Sequence, residues 1–314
     1  MEIYSYPKLN LSKLSQQLDD VNTGLIISKD NMVNSDGCPL TYCSDNTIHQ
    51  FTNCSSTRGN LKMNHIDAQT TDLSPLYGVE KIFGYLMISS NNAQNVSFFK
   101  SLKKLSSKSY GVSNLYFLNM TQMKRLDFPI LEVVENTCCD DMFRVNFTDL
   151  HPDFYLTTQE MKFWLQPHIM FCGFDAQICR GPTRSDGEIT CDYTDWQTLP
   201  SNCQHVIWDV IITNGDEQYT DKLISVKNIF GKLTIKYSRL EKIDFLPMLK
   251  RVAYPGQAPG FQIKYNPRLK RVELPSLVRV FSMSLWQIDI DHNHESLKYT
   301  DLCTENTENV EYQI

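Results

Sequence analysis

No run in this sequence approaches 18 consecutive apolar residues, so nothing in it reads as a membrane-spanning helix; the stretch from His205 to Ile212 is far too short. Nor is there a block of like charge. Thirty Lys and Arg stand against 36 Asp and Glu, interspersed along 314 residues with a net charge of −6, which excludes the basic stripe of a nucleic-acid-binding protein and the composition of a disordered chain. The opening Met1 to Asn10 lacks the charged start, apolar core and small-residue cleavage site of a secretory leader. Catalytic signatures are missing too. There is no G-x-S-x-G, H-E-x-x-H or Walker sequence and no kinase-type glycine-rich loop or His-Arg-Asp stretch, and Gly231-Lys-Leu-Thr lacks the upstream glycine of a phosphate-binding loop. No cofactor is implied, and the chain does not read as an enzyme.

What is present is an internal repeat. Val79-Glu-Lys-Ile-Phe-Gly-Tyr-Leu-Met-Ile88 matches Val226-Lys-Asn-Ile-Phe-Gly-Lys-Leu-Thr-Ile235 at an offset of 147. The same offset aligns Val96 to Leu105 with Ile243 to Val252, and an offset of 146 aligns Met123 to Val134 with Leu269 to Val280. Two copies of one module therefore fill most of the chain. Within each copy, apolar-x-apolar triplets mark short strands with one buried face. In the first they are Leu61/Met63, Leu86/Ile88, Leu115/Phe117 and Phe143/Val145, spaced by 25, 29 and 28 residues. In the second they are Val210/Ile212, Leu233/Ile235, Phe261/Ile263 and Ile288/Ile290, spaced by 23, 28 and 27. One strand per coil of about 20 to 30 residues predicts a solenoid whose strands stack in parallel, because no coil can bury its strand alone. Asn266 and Asn293 each follow a triplet by three residues. They are read either as turn residues whose amides reach the next coil or as ordinary exposed turn residues.

The frame Cys54-(x4)-Gly59-Asn-Leu-Lys-Met63, Val79-(x2)-Ile82-Phe-Gly-Tyr-Leu-Met-Ile88, Phe98-(x3)-Leu102 and Leu126-Asp-Phe-Pro-(x)-Leu131 resembles the receptor L domain of insulin and EGF receptors. The second copy matches through Cys203, Ile229 to Ile235, Phe245-Leu, Asn266-Pro-(x)-Leu269 and Leu274-Pro-Ser-Leu277. Asp149-Leu-His-Pro-Asp-Phe-Tyr-Leu-Thr-Thr-Gln-Glu-Met161 is similar to the nematode insulin/EGF-receptor L-domain proteins. The resemblance implies a mainly β, α-β solenoid: two right-handed parallel β-helix domains, leucine-rich-repeat-like, with short helical caps. The expected organisation is a helix and strand over 1–37 (a cap, or the remnant of a preceding L domain), L domains over 38–165 and 199–303, a Cys-containing linker over 166–198 and a tail over 304–314.

The resemblance also implies disulfides near each domain's entrance and exit, and hence an extracellular, secreted product. All ten cysteines are candidates: Cys38, Cys43, Cys54, Cys138, Cys139, Cys172, Cys179, Cys191, Cys203 and Cys303. The favoured pairs are Cys54 with Cys38 or Cys43, and Cys203 with Cys191. For the exit bonds, Cys138 or Cys139 is set against Cys172 or Cys179, while Cys303 is left without an obvious partner. A secreted product whose Met1 opens no leader implies incomplete termini. Between the copies, Thr157-Thr-Gln-Glu160 is a capping box that predicts a short helix to about Leu165, closing the first solenoid, and residues 166–200, with three cysteines and Gly181 to Gly187, read as a turn-rich linker.

Asn10, Asn95 and Asn146 are candidate glycosylation sites among the N-x-Ser/Thr sequons; Asn53, beside a bonded cysteine, and Asn119, close to a strand, are weaker. Asp289-Ile-Asp-His-Asn-His-Glu295 is the densest cluster of metal-ligand residue types, but without a C-x2-C partner it reads as a solvated turn, and no metal is assigned. The expected function is that of a non-catalytic ligand-binding ectodomain, a soluble binder or decoy whose partner, by resemblance alone, is an insulin-like or EGF-like peptide or protein. Lys62, Met87, Tyr116, Lys232, Thr234 and Gln262 are the strand alternates expected to face outward. The alternative is an intracellular leucine-rich-repeat-type scaffold with reduced cysteines. A β-helix polysaccharide lyase, with only the Asp289 to Glu295 cluster in its favour, is a weaker third.

Overall fold

Parallel pairing joins every strand to its neighbours among the described residues. The computed structural model describes residue 38 and residues 42–297, apart from 110, 139, 140 and 182–186, with the backbone of the short strands Ile3–Tyr4, Ser28–Lys29 and Tyr312–Gln313. The expected N-terminal helix, the C-terminal tail apart from the backbone of Tyr312–Gln313, Asn10, Cys139 and Cys303 lie outside the described residues. The chain divides into two compact units, Met1–Phe154 with His168–Asp175, and Tyr155–Pro167 with Ala176–Ile314. Both are built from parallel sheets that form a mainly β solenoid, with about 9 turns between them.

The first unit has a six-stranded sheet of Tyr42–Cys43, Leu61–Asn64, Leu86–Ser89, Leu115–Met120, Phe143–Leu150 and Ile169–Phe174 in that spatial order. Its four-stranded sheet is Ser56–Arg58, Lys81–Phe83, Lys104–Ser107 and Val133–Asn136. In the second unit one sheet runs Thr190–Asp192, His205–Ile207, Asn228–Phe230, Arg251–Ala253, Arg279–Phe281, and the other begins Val210–Ile212, Leu233–Lys236, Phe261–Lys264, Ile288–Asp291. Inward residues of facing sheets close each core. In the second unit Val206, Ile229, Val252 and Val280 pack with Val210, Leu233, Phe261 and Ile288. Burying each such side chain contributes about 1.5–3 kcal/mol, which no single coil can realise alone.

The predicted triplets pair as expected in the second unit, Val210↔Leu233↔Phe261↔Ile288. In the first, Leu61↔Leu86↔Leu115 continues to Val145, not Phe143. The expected triplet Phe143/Val145 is therefore displaced by one strand pair, and Val145/Phe147 is the equivalent. Alternation cannot separate the two, because Phe143, Val145 and Phe147 are all buried on one face; Phe143 pairs instead with Ile169 at the sheet's end.

Two kinds of corner shape each coil. At one ladder position the backbone passes through a residue with positive φ: His65 and Ser90 in the first unit and Tyr237, Tyr265 and His292 in the second directly follow their strands, while Asn119 and Asp149 are the next-to-last residues of theirs. At the opposite corner both units follow the same pattern. Tight links 59–60 and 84–85 precede long loops 108–114 and 137–142, and tight links 208–209 and 231–232 precede 254–260 and 282–287. Glycine in the tight link is structural, since a Cβ on Gly231 would lie 2.3 Å from the Trp208 carbonyl oxygen and one on Gly84 would lie 2.4 Å from that of Gly59.

The capping box forms as read: Thr157 Oγ1 accepts from the Glu160 N–H, and Glu160 Oε2 accepts from the Thr157 N–H. The helix it starts, Thr158–Trp164, belongs to the second unit rather than closing the first. The stretch read as a turn-rich linker carries three strands: Ile169–Phe174 extends the six-stranded sheet, Gln177–Cys179 pairs with Tyr155–Thr157, and Thr190–Asp192 pairs with His205–Ile207. Disulfides join Cys38 to Cys54 and Cys191 to Cys203, with Cα separations of 5.9 and 6.1 Å. Cys43, the other partner left open for Cys54, is instead a buried thiol, pushed up to about 12 by burial and then by Asp45. Cys172 is exposed and carries no disulfide.

Candidate ligand-binding surface

On the outer face of the six-stranded sheet, Tyr42, Lys62, Met87, Tyr116 and Asn146 form one unbroken ladder row that ends against Gly173. Tyr42 is exposed and the next four are half-buried, giving a flat strip of aromatic, aliphatic and cationic groups. A Cβ on Gly173 would lie 2.4 Å from the Thr148 methyl and 2.8 Å from Asn146 Oδ1, so glycine is what lets Asn146 lie flat here. The corresponding row of the second unit is Ile211, Thr234, Gln262 and Asp289. It differs from expectation at two positions. Thr234 points outward but is buried, and Lys232 sits in the tight corner before the strand, 4.6 Å above the Tyr254 ring.

The corner beside this second strip is apolar: Trp208 is 60% and Leu285 83% exposed, and Trp286 lies on the same long loop as Leu285. In the first unit the matching loops are tied down by polar groups. Asn136 Nδ2 donates to the carbonyls of Ser109 and Met142, while its Oδ1 accepts from the backbone of Ser109 and Cys138.

The residues of the Asp289 to Glu295 run do not converge. Asp289 is buried and paired with Lys264 at 2.6 Å, Asp291 contacts His292, and His294 Nδ1 accepts from the Ser296 N–H. Among the described residues no three His, Cys, Asp or Glu side chains are grouped to hold a metal. Asn266 and Asn293 bridge coils, but toward the preceding one: Asn266 Nδ2 donates to the Ile235 carbonyl at 3.0 Å and Asn293 Nδ2 to that of Ile263 at 2.8 Å. Asn95 and Asn146 are half-buried, their Oδ1 atoms accepting from Ser97 and Thr148, the hydroxyl residues of their own sequons.

Sequence reasoning missed Glu188. Its carboxylate meets Lys162 Nζ at 2.8 Å, His205 Nε2 at 2.7 Å and Lys227 Nζ at 2.9 Å. The lysines, then His205, hold it well below the usual carboxylate range, while burial pushes the His205 imidazole down against the pull of Glu188. His205 Nδ1 lies 2.9 Å from Asn228 Nδ2, so the neutral ring accepts there and donates to Glu188. No sequence signal marked Glu188, which lies in the turn-rich stretch far from the residues it joins.

The receptor L domain family model matches residues 53–161 and 202–314. This chain belongs to the receptor L domain family. No curated protein matches it. The two receptor L domains coincide with the two repeat copies, and their family is a ligand-binding, non-catalytic one. Membership and the two disulfides together suggest an extracellular receptor L domain protein. Among the described residues no helix is long and apolar enough to cross a membrane.

Proposed function

We propose that this protein is a non-catalytic extracellular binder of the insulin/EGF-receptor L-domain type, acting as a soluble receptor or decoy for an insulin-like or EGF-like peptide. The observation that carries this reading is the Tyr42–Lys62–Met87–Tyr116 row. Aromatic and aliphatic groups held on a rigid ladder offer contact area at little cost in side-chain freedom, and Lys62, 5.6 Å from the Tyr85 ring, adds a charge that orients a partner. The Cys38–Cys54 and Cys191–Cys203 bonds weigh against the cytosolic scaffold reading. A glycan on Asn146 would cover the far end of the row and confine a ligand to its Tyr42 side.

Binding of insulin-like and EGF-like peptides to the full, oxidised chain, followed by calorimetry, tests this reading. Saturable binding that Tyr116→Ala weakens tenfold or more is the expected result. Failure of the correctly oxidised protein to bind any peptide of either class overturns it.

A further inference from the structure

Arg251 and Arg279 are direct neighbours on the parallel ladder, on the outer face of the second unit's first sheet. Two guanidinium groups side by side are unfavourable unless an anion lies between them, and among the described residues none does. Glu188, which meets His205 on the same ladder row, is taken by Lys162, His205 and Lys227. Arg279 donates to the Gln166 carbonyl, and Arg251 Nε is buried with no partner. Burial first, and Arg251 second, push Arg279 down to about 10.

The repeat shows what is missing. Arg251 and Arg279 correspond to Lys104 and Val133 of the first unit, where Lys104 pairs with Glu135 at 2.7 Å. The second unit has Phe281 where the first has Glu135, so one unit supplies the anion itself, while the other sets two cations side by side with no carboxylate paired to either among the described residues. A water between Arg251 Nε and the unpartnered Asn228 Oδ1, its ladder neighbour, would satisfy those two atoms. It would leave both positive charges uncompensated. Only an anion answers both deficits, and paired guanidiniums match the geometry of a tetrahedral oxyanion.

We propose that Arg251 and Arg279 form a binding site for a sulfate or phosphate group. Both residues are half-buried, so each keeps part of its surface open to solvent. The test is thermal unfolding of the oxidised full chain, titrated with sodium sulfate or sodium phosphate at constant ionic strength set with sodium chloride. Methyl sulfate and methyl phosphate form a second arm. The expected result is saturable stabilisation absent with chloride alone, with the half-saturating concentration raised tenfold or more by Arg279→Gln and changed less than twofold by Arg268→Gln, an exposed control. If the methyl esters act as well as the free ions, the site takes a group borne on a larger molecule; if only the free ions act, it takes the ion. Arg251→Met guards against loss of folding as an explanation: removing one of two repelling charges leaves the ligand-free protein at least as stable while abolishing the response. Equal stabilisation of parent and both variants by sulfate, or a parent response no greater than that to chloride, overturns the proposal.

Discussion

Phe83 and Phe230 hold the same place in the two L domains, 147 residues apart, yet Phe83 is 41% exposed and Phe230 3%. The difference extends along the sheet. In the first domain Val133 is exposed and Lys104 meets Glu135 at the surface, whereas in the second Ile207, Phe230, Ala253 and Phe281 are all buried on the outer face. The segment 162–166, with Glu188, reaches this face: Lys162 pairs with Glu188, Glu188 meets His205 and Lys227, and Gln166 accepts from Arg279 on the last strand of that sheet. A repeated coil thus leaves one outer sheet face solvated in one copy and turns it into a second core in the other.

The sharpest way to break this comparison is to truncate the matched phenylalanines. Phe230→Ala is expected to destabilise by about 3 kcal/mol and Phe83→Ala by about 0.5 kcal/mol or less, read from chemical unfolding. Equal losses would mean that the covering segment does not seal the second face. Next in size, Glu188→Gln leaves Lys162 and Lys227 without their carboxylate and is expected to cost about 2 kcal/mol, with faster amide exchange over 158–166.

The pH dependence of the same variant sharpens the point. The His205 value lies below its ordinary 6.5, so the unfolded chain takes up a proton first and stability falls as pH drops below about 6.5. Glu188 is also depressed, so its contribution is full above its ordinary 4.5 and is lost as pH falls further, through its folded value. In Glu188→Gln the lower window flattens. The upper one persists, because His205 loses the partner that favoured its charged form. A third and smaller contrast lies between two buried asparagines at different coils: Asn266 of the second domain, whose amide joins Ile235, Ser238 and Asn293, and Asn91 of the first, whose Nδ2 is buried without a partner. Asn266→Ala is expected to cost about 1.5 kcal/mol and Asn91→Ala less, by the same unfolding measurement.

The two domains and seven of their eight triplets were legible because the inward row is purely apolar and recurs with each coil. The eighth slipped where three buried alternates, Phe143, Val145 and Phe147, run in one strand and only the neighbouring strand decides among them. The outer row was legible as far as alternation reaches, in Lys62, Met87, Tyr116 and Gln262, but alternation does not say what lies on top. That is why Thr234 was expected at the surface, and why Glu188 and the covered sheet went unseen: contacts between residues 17 to 39 positions apart leave no local period to read. The coil-to-coil direction of Asn266 and Asn293 likewise depends on a neighbour that spacing does not identify.

The left-handed corner residue has a consequence for engineering. Because His65, Ser90, Asn119 and Asp149, like Tyr237, Tyr265 and His292, take a positive φ at one fixed ladder position, each coil's phase is reset there, whatever length intervenes on the other side. The loops 108–114 and 254–260 already add five residues over the tight links beside them without disturbing the registers Leu86↔Leu115 and Leu233↔Phe261. The scaffold therefore separates the part that counts residues from the part that does not, and foreign segments grafted into 254–260 would inherit a fixed pedestal.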